Sequence, residues 1–375
     1  VGAALGLSLS ERVFFGVSKY LFGALAKQRV ISGYVSPRQL RPWDVFNHLL
    51  DLSKTFEFGR PGINASWMWR RSTIDKLTAR VMKKLEAFDD IDAVLQVGTH
   101  AIIQSDRVKH YCLTDMTIAQ AVNSPTSKSF AAGRLPKRQH SEAIESQRAI
   151  FKSCDGIFVN SHWTKSSVVD YYNISADKVY VVGVGVSLPL IALPEKKAQL
   201  HGILFIGRDW ARKGGPMLLE ALSLVRREFK DATLTVIGCH PRVRDRHVRV
   251  LGRLNKKVES ERQTIEKALA DSAVLCVPSI FDPYGICFLE AQLYGVPPIT
   301  FAGEGRRDAI KDGETGILLE DRTPEALSEA IIDLFSDPEK AAKKGRAGHE
   351  YVTKNLTWDH VAGRVLSVME SQFAG

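Results

Sequence analysis

The sequence predicts an α/β protein made of two doubly wound domains facing a cleft. Three observations lead there. From residue 91 onward, short runs rich in β-formers alternate with helical stretches, the order that yields parallel sheets with helices on both faces. The alternation breaks once, over Leu188-Pro189-Leu190-Ile191-Ala192-Leu193-Pro194-Glu195-Lys196-Lys197-Ala198-Gln199-Leu200, and then restarts. The 375 residues, 45% of them hydrophobic, are enough to bury two ordinary cores. The expected organisation is a first domain over residues 1–187, a linker over 188–200, a second domain over 201–357 and a last helix within 358–375.

Each element follows from local pattern. Residues 11–27 carry Val13, Phe14, Val17, Tyr20, Leu21 and Leu25 at helical spacing. Residues 72–88 form a second amphipathic helix, with Ile74, Leu77, Val81 and Leu85 on one side and Arg70, Arg71, Lys76, Arg80, Lys83 and Lys84 making the outer side basic. Strands are expected at 93–97, 109–113, 156–160 and 179–184, with helices at 141–153 and 162–173. In the second half, strands are expected at 202–206, 233–237, 248–251, 273–277 and 297–301. Helices are expected there at 214–229, 259–270, 286–294, 324–335, 339–354 and about 358–372.

Charge is unevenly spread. Of the net +9, residues 1–180 hold 24 Lys/Arg against 16 Asp/Glu, and the remainder is near neutral. A basic half points to an anionic partner such as a lipid surface, an acidic acceptor or nucleic acid, or to a solvated basic face. The five cysteines, Cys112, Cys154, Cys239, Cys276 and Cys287, lack metal spacing and are odd in number, which fits buried free thiols in a reducing compartment. No run of about 18 apolar residues is present, so no spanning helix is expected. No basic segment precedes the first apolar run, so no signal peptide is expected; the chain begins at Val1 and reads as trimmed.

Two segments carry chemistry. Phe205-Ile206-Gly207-Arg208-Asp209-Trp210-Ala211-Arg212-Lys213-Gly214-Gly215 ends a strand in Gly and sets Arg208 and Lys213 before a helix. Two cations aimed at one cleft can neutralise a diphosphate, each charge-assisted hydrogen bond contributing on the order of 1.5–3 kcal/mol. Pro278-Ser279-Ile280-Phe281-Asp282-Pro283-Tyr284-Gly285-Ile286-Cys287-Phe288-Leu289-Glu290-Ala291 places two carboxylates eight positions apart around a helix start. Asp282 before the helix can reach a sugar hydroxyl. Glu290, one turn inside it, can accept both ribose hydroxyls at the positive end of the dipole. Gly285 lets a phosphate approach the amides of residues 285–287, Ile286 among them. A nucleotide-sugar has both kinds of part.

Other signals are read as structural. Asp90-Ile91-Asp92 has the form of a metal-binding Asp-x-Asp but precedes a strand in the first domain, as a solvated turn does. Val182-Gly183-Val184-Gly185-Val186-Ser187-Leu188-Pro189 lacks the third Gly of a dinucleotide fingerprint, and Pro189 blocks the helix. Gly207 to Gly214 lacks the Gly-Lys-Ser/Thr ending of a P-loop.

From about residue 90 onward the chain resembles the family-4 retaining glycosyltransferases, of GT-B architecture. The resemblance rests on Gly207-Arg208, Lys213-Gly214, Asp282 and Glu290-Ala291, with Asp155-Gly156-Ile157-Phe158-Val159-Asn160-Ser161, Gly295-Val296-Pro297-Pro298 and Asp312-Gly313-Glu314-Thr315-Gly316. It implies two facing Rossmann-like domains and a last helix crossing back to the first. It implies transfer of a hexose from a nucleoside-diphosphate sugar with retention, without metal or other cofactor. Arg208 and Lys213 become the diphosphate clamp, Glu290 the ribose holder and Asp282 the sugar contact.

Two departures stand out. Asp282 occupies the place of the family's usual Glu, and Thr114-Asp115 the place where a His near the donor sugar is common. His100, after the strand 93–97, is a candidate to serve beside Asp115 on the acceptor side, with a surface histidine as the plainer reading. The opening strand with its Gly-rich loop is not evident, and Val1-Gly2-Ala3-Ala4 reads as its remnant. The acceptor is expected to be a glycan, a lipid-linked molecule or a small molecule bound by residues 1–187, not nucleic acid. The expected location is cytoplasmic, with peripheral contact at the inner face of an anionic membrane as the sharper reading of helix 72–88. Alternatives are a sugar phosphorylase of the same architecture or a nucleotide-sugar-binding module without turnover.

Overall fold

The computed structural model describes residues 2–5, 17–28, 31–35, 70–129, 132–194 and 201–373. The chain divides into two compact units, Val1–Gly183 with Val361–Gly375, and Val184–His360. The change of unit falls just before the 188–200 stretch, of which residues 195–200 lie outside the described residues.

The first unit contains a parallel six-stranded sheet in the order β2-β1-β3-β4-β5-β6. Its strands are β1 (Gly2–Leu5), β2 (Ile31–Val35), β3 (Ala93–Val97), β4 (Lys109–Thr114), β5 (Gly156–Val159) and β6 (Val179–Val181). Of the remnant at Val1-Gly2-Ala3-Ala4, residues 2–4 belong to the inner strand β1, paired on one side with β2 and on the other with β3, and Val1 lies outside the described residues. β2 was not foreseen: Ile31-Ser32-Gly33-Tyr34-Val35 is short and interrupted by Gly, so its pattern is weak and its pairing with β1 supplies what the sequence lacks.

The helices of this unit are α1 (Val17–Lys27), α2 (Arg71–Leu85), α3 (Ile118–Asn123), α4 (His140–Ser153) and α5 (His162–Ser166). Of the helix expected over 11–27, residues 11–16 lie outside the described residues. α2 buries Ile74, Leu77, Val81 and Leu85, the four residues its 3.6-residue period aligns. The helix expected over 162–173 is α5 followed by a π-helical turn at Ser167–Tyr171. α3 escaped pattern reading because it has six residues; a capping box between Thr117 and Gln120 starts it.

The second unit holds another parallel six-stranded sheet, β12-β11-β10-β7-β8-β9. Its strands are β7 (Gly202–Ile206), β8 (Thr233–Ile237), β9 (Val248–Gly252), β10 (Val274–Cys276), β11 (Pro298–Phe301) and β12 (Ile317–Leu319). The inner strands β7, β10 and β11 read as continuous apolar runs because helices cover both faces. The edge strand β9 instead exposes Arg249. The helices are α6 (Gly215–Glu228), α7 (Glu259–Ala270), α8 (Ile286–Leu293), α9 (Arg306–Ala309), α10 (Pro324–Ser336) and α11 (Pro338–Asn355), and α12 (Trp358–Ser371) begins here but belongs from Val361 onward to the first unit.

The end of α12 returns to the first unit. Arg364 Nε donates to the Val182 carbonyl at 2.9 Å, and the Tyr111 hydroxyl donates to Gln372 Oε1 at 2.9 Å. Lys109 reaches the Gln372 carbonyl and lies over the Phe373 ring. All five cysteines are buried and unpaired. Among the described residues, no helix is long and apolar enough to cross a membrane.

Candidate functional site

In the second unit the strand order runs outward in one direction from β7 to β8 and β9, and in the other from β10 to β11 and β12. The direction of winding reverses between β7 and β10. In an open parallel sheet, the crevice outside the carboxyl ends at such a reversal is where ligands bind. Gly207-Arg208 leaves the end of β7, and the segment 277–285 leaves the end of β10. The two segments that the sequence singles out therefore flank this point.

Local backbone geometry draws the two loops together. The turn after β7 is closed by Lys213 N–H to Asp209 O at 3.0 Å and Gly215 N–H to Trp210 O at 2.8 Å. Gly214 has φ +77°, and a Cβ there would lie 1.9 Å from the Pro278 carbonyl oxygen. Only glycine fits both the left-handed backbone and that approach. Gly285 has φ +87°; its Cβ would strike the Phe288 ring and come within 3.3 Å of Asp282 Oδ2. Gly207 lies against the Lys213 stem, with 3.0 Å from its notional Cβ to Lys213 Cγ.

With the loops in contact, the charges pair. Lys213 Nζ binds Asp282 Oδ2, their side chains 11% and 9% exposed. Lys256 Nζ binds Glu290 Oε1, and the Glu290 side chain is 2% exposed. Burial pushes the Cys287 thiol up to about 12, and Lys213, Asp282, Glu290 and Lys256 all act on it electrostatically. One pair holds Asp282 just before α8 and the other holds Glu290 one turn inside it. Seven of the eight residues of α8 are buried, and a carboxylate within so apolar a helix needs a partner. Ile286 opens α8 and is partly exposed, while Arg208 is exposed.

Gly207, Arg208, Lys213, Asp282, Gly285, Ile286 and Glu290 thus lie at one edge of one sheet. The sequence separates Lys213, as a phosphate ligand, from Asp282, as a sugar ligand; the structure pairs them. Lys256 went unrecognised, since Asn255-Lys256-Lys257 has no pattern that ties it to a helix 34 residues away. Arg306 was missed for a similar reason. It is fully buried, with Nη1 donating to the Ser279 carbonyl at 2.7 Å, yet Arg306-Arg307 reads as a surface doublet. Burial lowers the Arg306 pKa and raises that of its partner Glu304.

His100 and Asp115 belong to the first unit. Val97 of β3 pairs with Leu113 of β4, so both residues follow the carboxyl ends of adjacent strands. The surface reading of His100 is corrected: it is 6% exposed, and its amide donates to Gln96 Oε1 at 3.1 Å. Asp115 is partly buried, and desolvation pushes its carboxyl up from 3.8 to about 6. Asp90 and Asp92 are exposed at the opposite, amino end of β3.

Residues 201–337 match the family described as Glycosyl transferases group 1. A D-inositol 3-phosphate glycosyltransferase of Corynebacterium glutamicum (strain R) is 25% identical over 281 residues, 66% of this chain and 66% of that one. A GDP-mannose-dependent alpha-(1-6)-phosphatidylinositol monomannoside mannosyltransferase of Mycolicibacterium smegmatis is 27% identical over 189 residues, 45% of this chain and 48% of that one. These matches span two thirds or less of the relatives' own lengths. In fold, the chain is similar to the sucrose-phosphate synthase of Thermosynechococcus elongatus, with a TM-score of 0.67 and 16% identity over 100% of this chain and 99% of that one.

Burial separates the two cations. Lys213→Ala leaves Asp282 buried without its counter-ion, a loss of about 3–5 kcal/mol, so thermal melting should fall by roughly 6–20 °C. Arg208→Ala, at an exposed position, should melt within about 2 °C of the parent. Equal melting temperatures for the two variants would contradict the buried pair.

A second prediction concerns pH. A carboxyl raised by folding makes stability fall as pH rises from 3.8 to about 6, because the unfolded chain has lost the proton that the folded chain keeps. His110, lowered by burial from 6.5 to about 4, has the opposite slope over about 4 to 6.5, so the parent profile should be shallow. In urea unfolding, the advantage of Asp115→Asn over the parent should grow between pH 4 and 6 and then level off. A constant difference would refute the shift.

Proposed function

We propose that this chain, a family-4-like protein of GT-B architecture with a group 1 glycosyltransferase domain, moves a hexose from a nucleoside-diphosphate sugar to an acceptor hydroxyl. The observation that carries this reading is the pair of cation–carboxylate contacts, Lys213 with Asp282 and Lys256 with Glu290, at the point where the second sheet reverses its winding. A diphosphate suits Lys213, Arg208 and the amides opening α8. Glu290 suits the ribose, with Lys256 holding one of its oxygens. Asp282, beside Lys213, suits a hydroxyl of the transferred sugar.

Charge develops on the leaving diphosphate as the glycosidic bond breaks. Lys213 and Arg208 stabilise it without a metal, acting as fixed positive groups aimed at the departing oxygen. Retention at the anomeric carbon follows the family-4 resemblance. A nucleotide-sugar donor agrees with the M. smegmatis relative, whose name specifies GDP-mannose. The acceptor side is assigned to the first unit, near Asp115 and His100.

A lipid-linked acceptor is favoured by α2, which buries its apolar stripe and leaves Lys76 and Lys83 exposed beside Arg71. The phosphatidylinositol in the name of the M. smegmatis relative agrees with it. The direct test incubates the protein with UDP-glucose, GDP-mannose and candidate acceptors. Transfer to a hydroxyl supports the reading, transfer to inorganic phosphate supports a phosphorylase, and binding without product supports a module without turnover.

Two predictions follow from the assigned roles. Glu290→Gln should weaken bare UDP or GDP and the matching nucleotide-sugar alike, by about tenfold. Asp282→Asn should spare the bare nucleotide and weaken only the nucleotide-sugar. Titration calorimetry with both ligands decides, and equal losses in both variants would show that the roles are not separate. For the membrane, the protein should sediment with phosphatidylserine vesicles at low salt. Arg71→Glu, Arg80→Glu, Lys83→Glu and Lys84→Glu combined should abolish this, since each basic residue near such a surface contributes about 1 kcal/mol. Parent protein left in the supernatant would remove the membrane from the account.

A further inference from the structure

The segment 279–283, which carries Asp282, has no secondary structure of its own, yet each of its residues is held from outside. Arg306 Nη1 donates to the Ser279 carbonyl at 2.7 Å. Arg322 Nη1 donates to the Ile280 carbonyl at 2.9 Å, and Arg212 Nη1 to the Phe281 carbonyl at 2.7 Å. The Gly305 amide donates to the Pro283 carbonyl at 3.0 Å. The Asp282 carboxylate itself is held by Lys213 Nζ, and the Glu304 carboxylate is ion-paired with Arg306.

Glu304 and Arg306 are unusual in two ways. Arg306 is 0% exposed, and its remaining donors go to the Gly303 carbonyl at 3.2 Å and to Glu304. Glu304 has φ +41°, a left-handed backbone that a side chain disfavours. Neither feature is explained by stability, because buried ion pairs are often matched or bettered by apolar residues and strained backbone persists only where its surroundings enforce it. What the arrangement does achieve is geometric. The backbone on either side of Asp282 is held by Arg306, itself paired with Glu304, and by the Gly305 amide between them, and the Asp282 carboxylate is held by Lys213.

We propose that Glu304 and Arg306 are positioning residues that hold the 279–283 segment so that Asp282 meets the transferred sugar, and that they thereby govern sugar recognition and not nucleotide recognition. The sugar half of this rests on the donor assignment made under Proposed function. Neither residue touches the nucleotide; both act through Asp282.

The test uses the full chain carrying Arg306→Met, Arg306→Lys, and the double variant Glu304→Gln with Arg306→Met, which removes the charge pair together. Amide hydrogen exchange without ligand is measured first. Peptides covering 279–285 should exchange about tenfold faster in Arg306→Met and in the double variant, and less so in Arg306→Lys, while peptides over β7, β8 and α6 stay within about twofold. No change at 279–285, or an equal rise throughout the second unit, overturns the proposal. Should Arg306→Met not fold, the double variant and Arg306→Lys carry the same comparison.

Calorimetry then uses UDP, GDP, UDP-glucose and GDP-mannose. The bare nucleotide that the parent binds should keep its affinity within about twofold, and the matching nucleotide-sugar should weaken about tenfold. Parallel losses would mean that the pair is merely structural. If the parent binds none of the four, the donor reading falls, and the exchange result alone decides whether the pair positions Asp282.

Discussion

The contact between Lys213 and Asp282 is what the rest of the second unit is arranged around. It joins the loop leaving β7 to the loop leaving β10, 69 residues apart, across the reversal of the sheet. It exists because Gly214 lets one backbone come against the Pro278 carbonyl, a distance no side chain tolerates. Two buried charges cost more in lost hydration than a surface pair does, and their mutual attraction recovers that only with good geometry. The arginines that hold 279–283 and the glycines at 214 and 285 supply the geometry. An interaction of this kind is weak evidence for stability and better evidence for a site, since ligand-binding centres are where strained backbone and buried charge collect.

Much of the frame was legible beforehand. β7, β8 and α7 fall on the residues their patterns predict: β7 is a near-continuous apolar run between helical layers, β8 is rich in β-branched Thr, Val and Ile, and α7 has a clear amphipathic stripe. The division into two αβ units was legible from the restart of the alternation. What escaped was short or depended on distant partners. β2 and β12 have five and three residues, and each is defined by its neighbour in the sheet. α9 has four residues, and its Arg306 is buried by the 279–283 segment, which no local pattern announces.

The candidate site divides the same way. Residues next to glycines at strand ends could be picked out, because a left-handed turn and a helix start leave marks in the sequence. Their pairing could not. The residue pattern assigns Lys213 and Asp282 to different parts of a ligand, and only the fold shows that they share a hydrogen bond. Lys256 illustrates the limit: its importance comes from Glu290, and nothing in Asn255-Lys256-Lys257 points there. His100 is the converse case, a polar residue read as surface that packs at the carboxyl edge of the first sheet.

The proposed donor, a nucleoside-diphosphate sugar, would sit in the crevice between the ends of β7 and β10. Amide hydrogen exchange of the parent protein with and without saturating GDP-mannose or UDP-glucose tests this placement most directly. Bound donor should slow exchange in peptides covering 207–215, 254–257 and 282–290, with the remaining strands of the second unit unchanged. Binding established by calorimetry, but with protection confined to other segments, would contradict it.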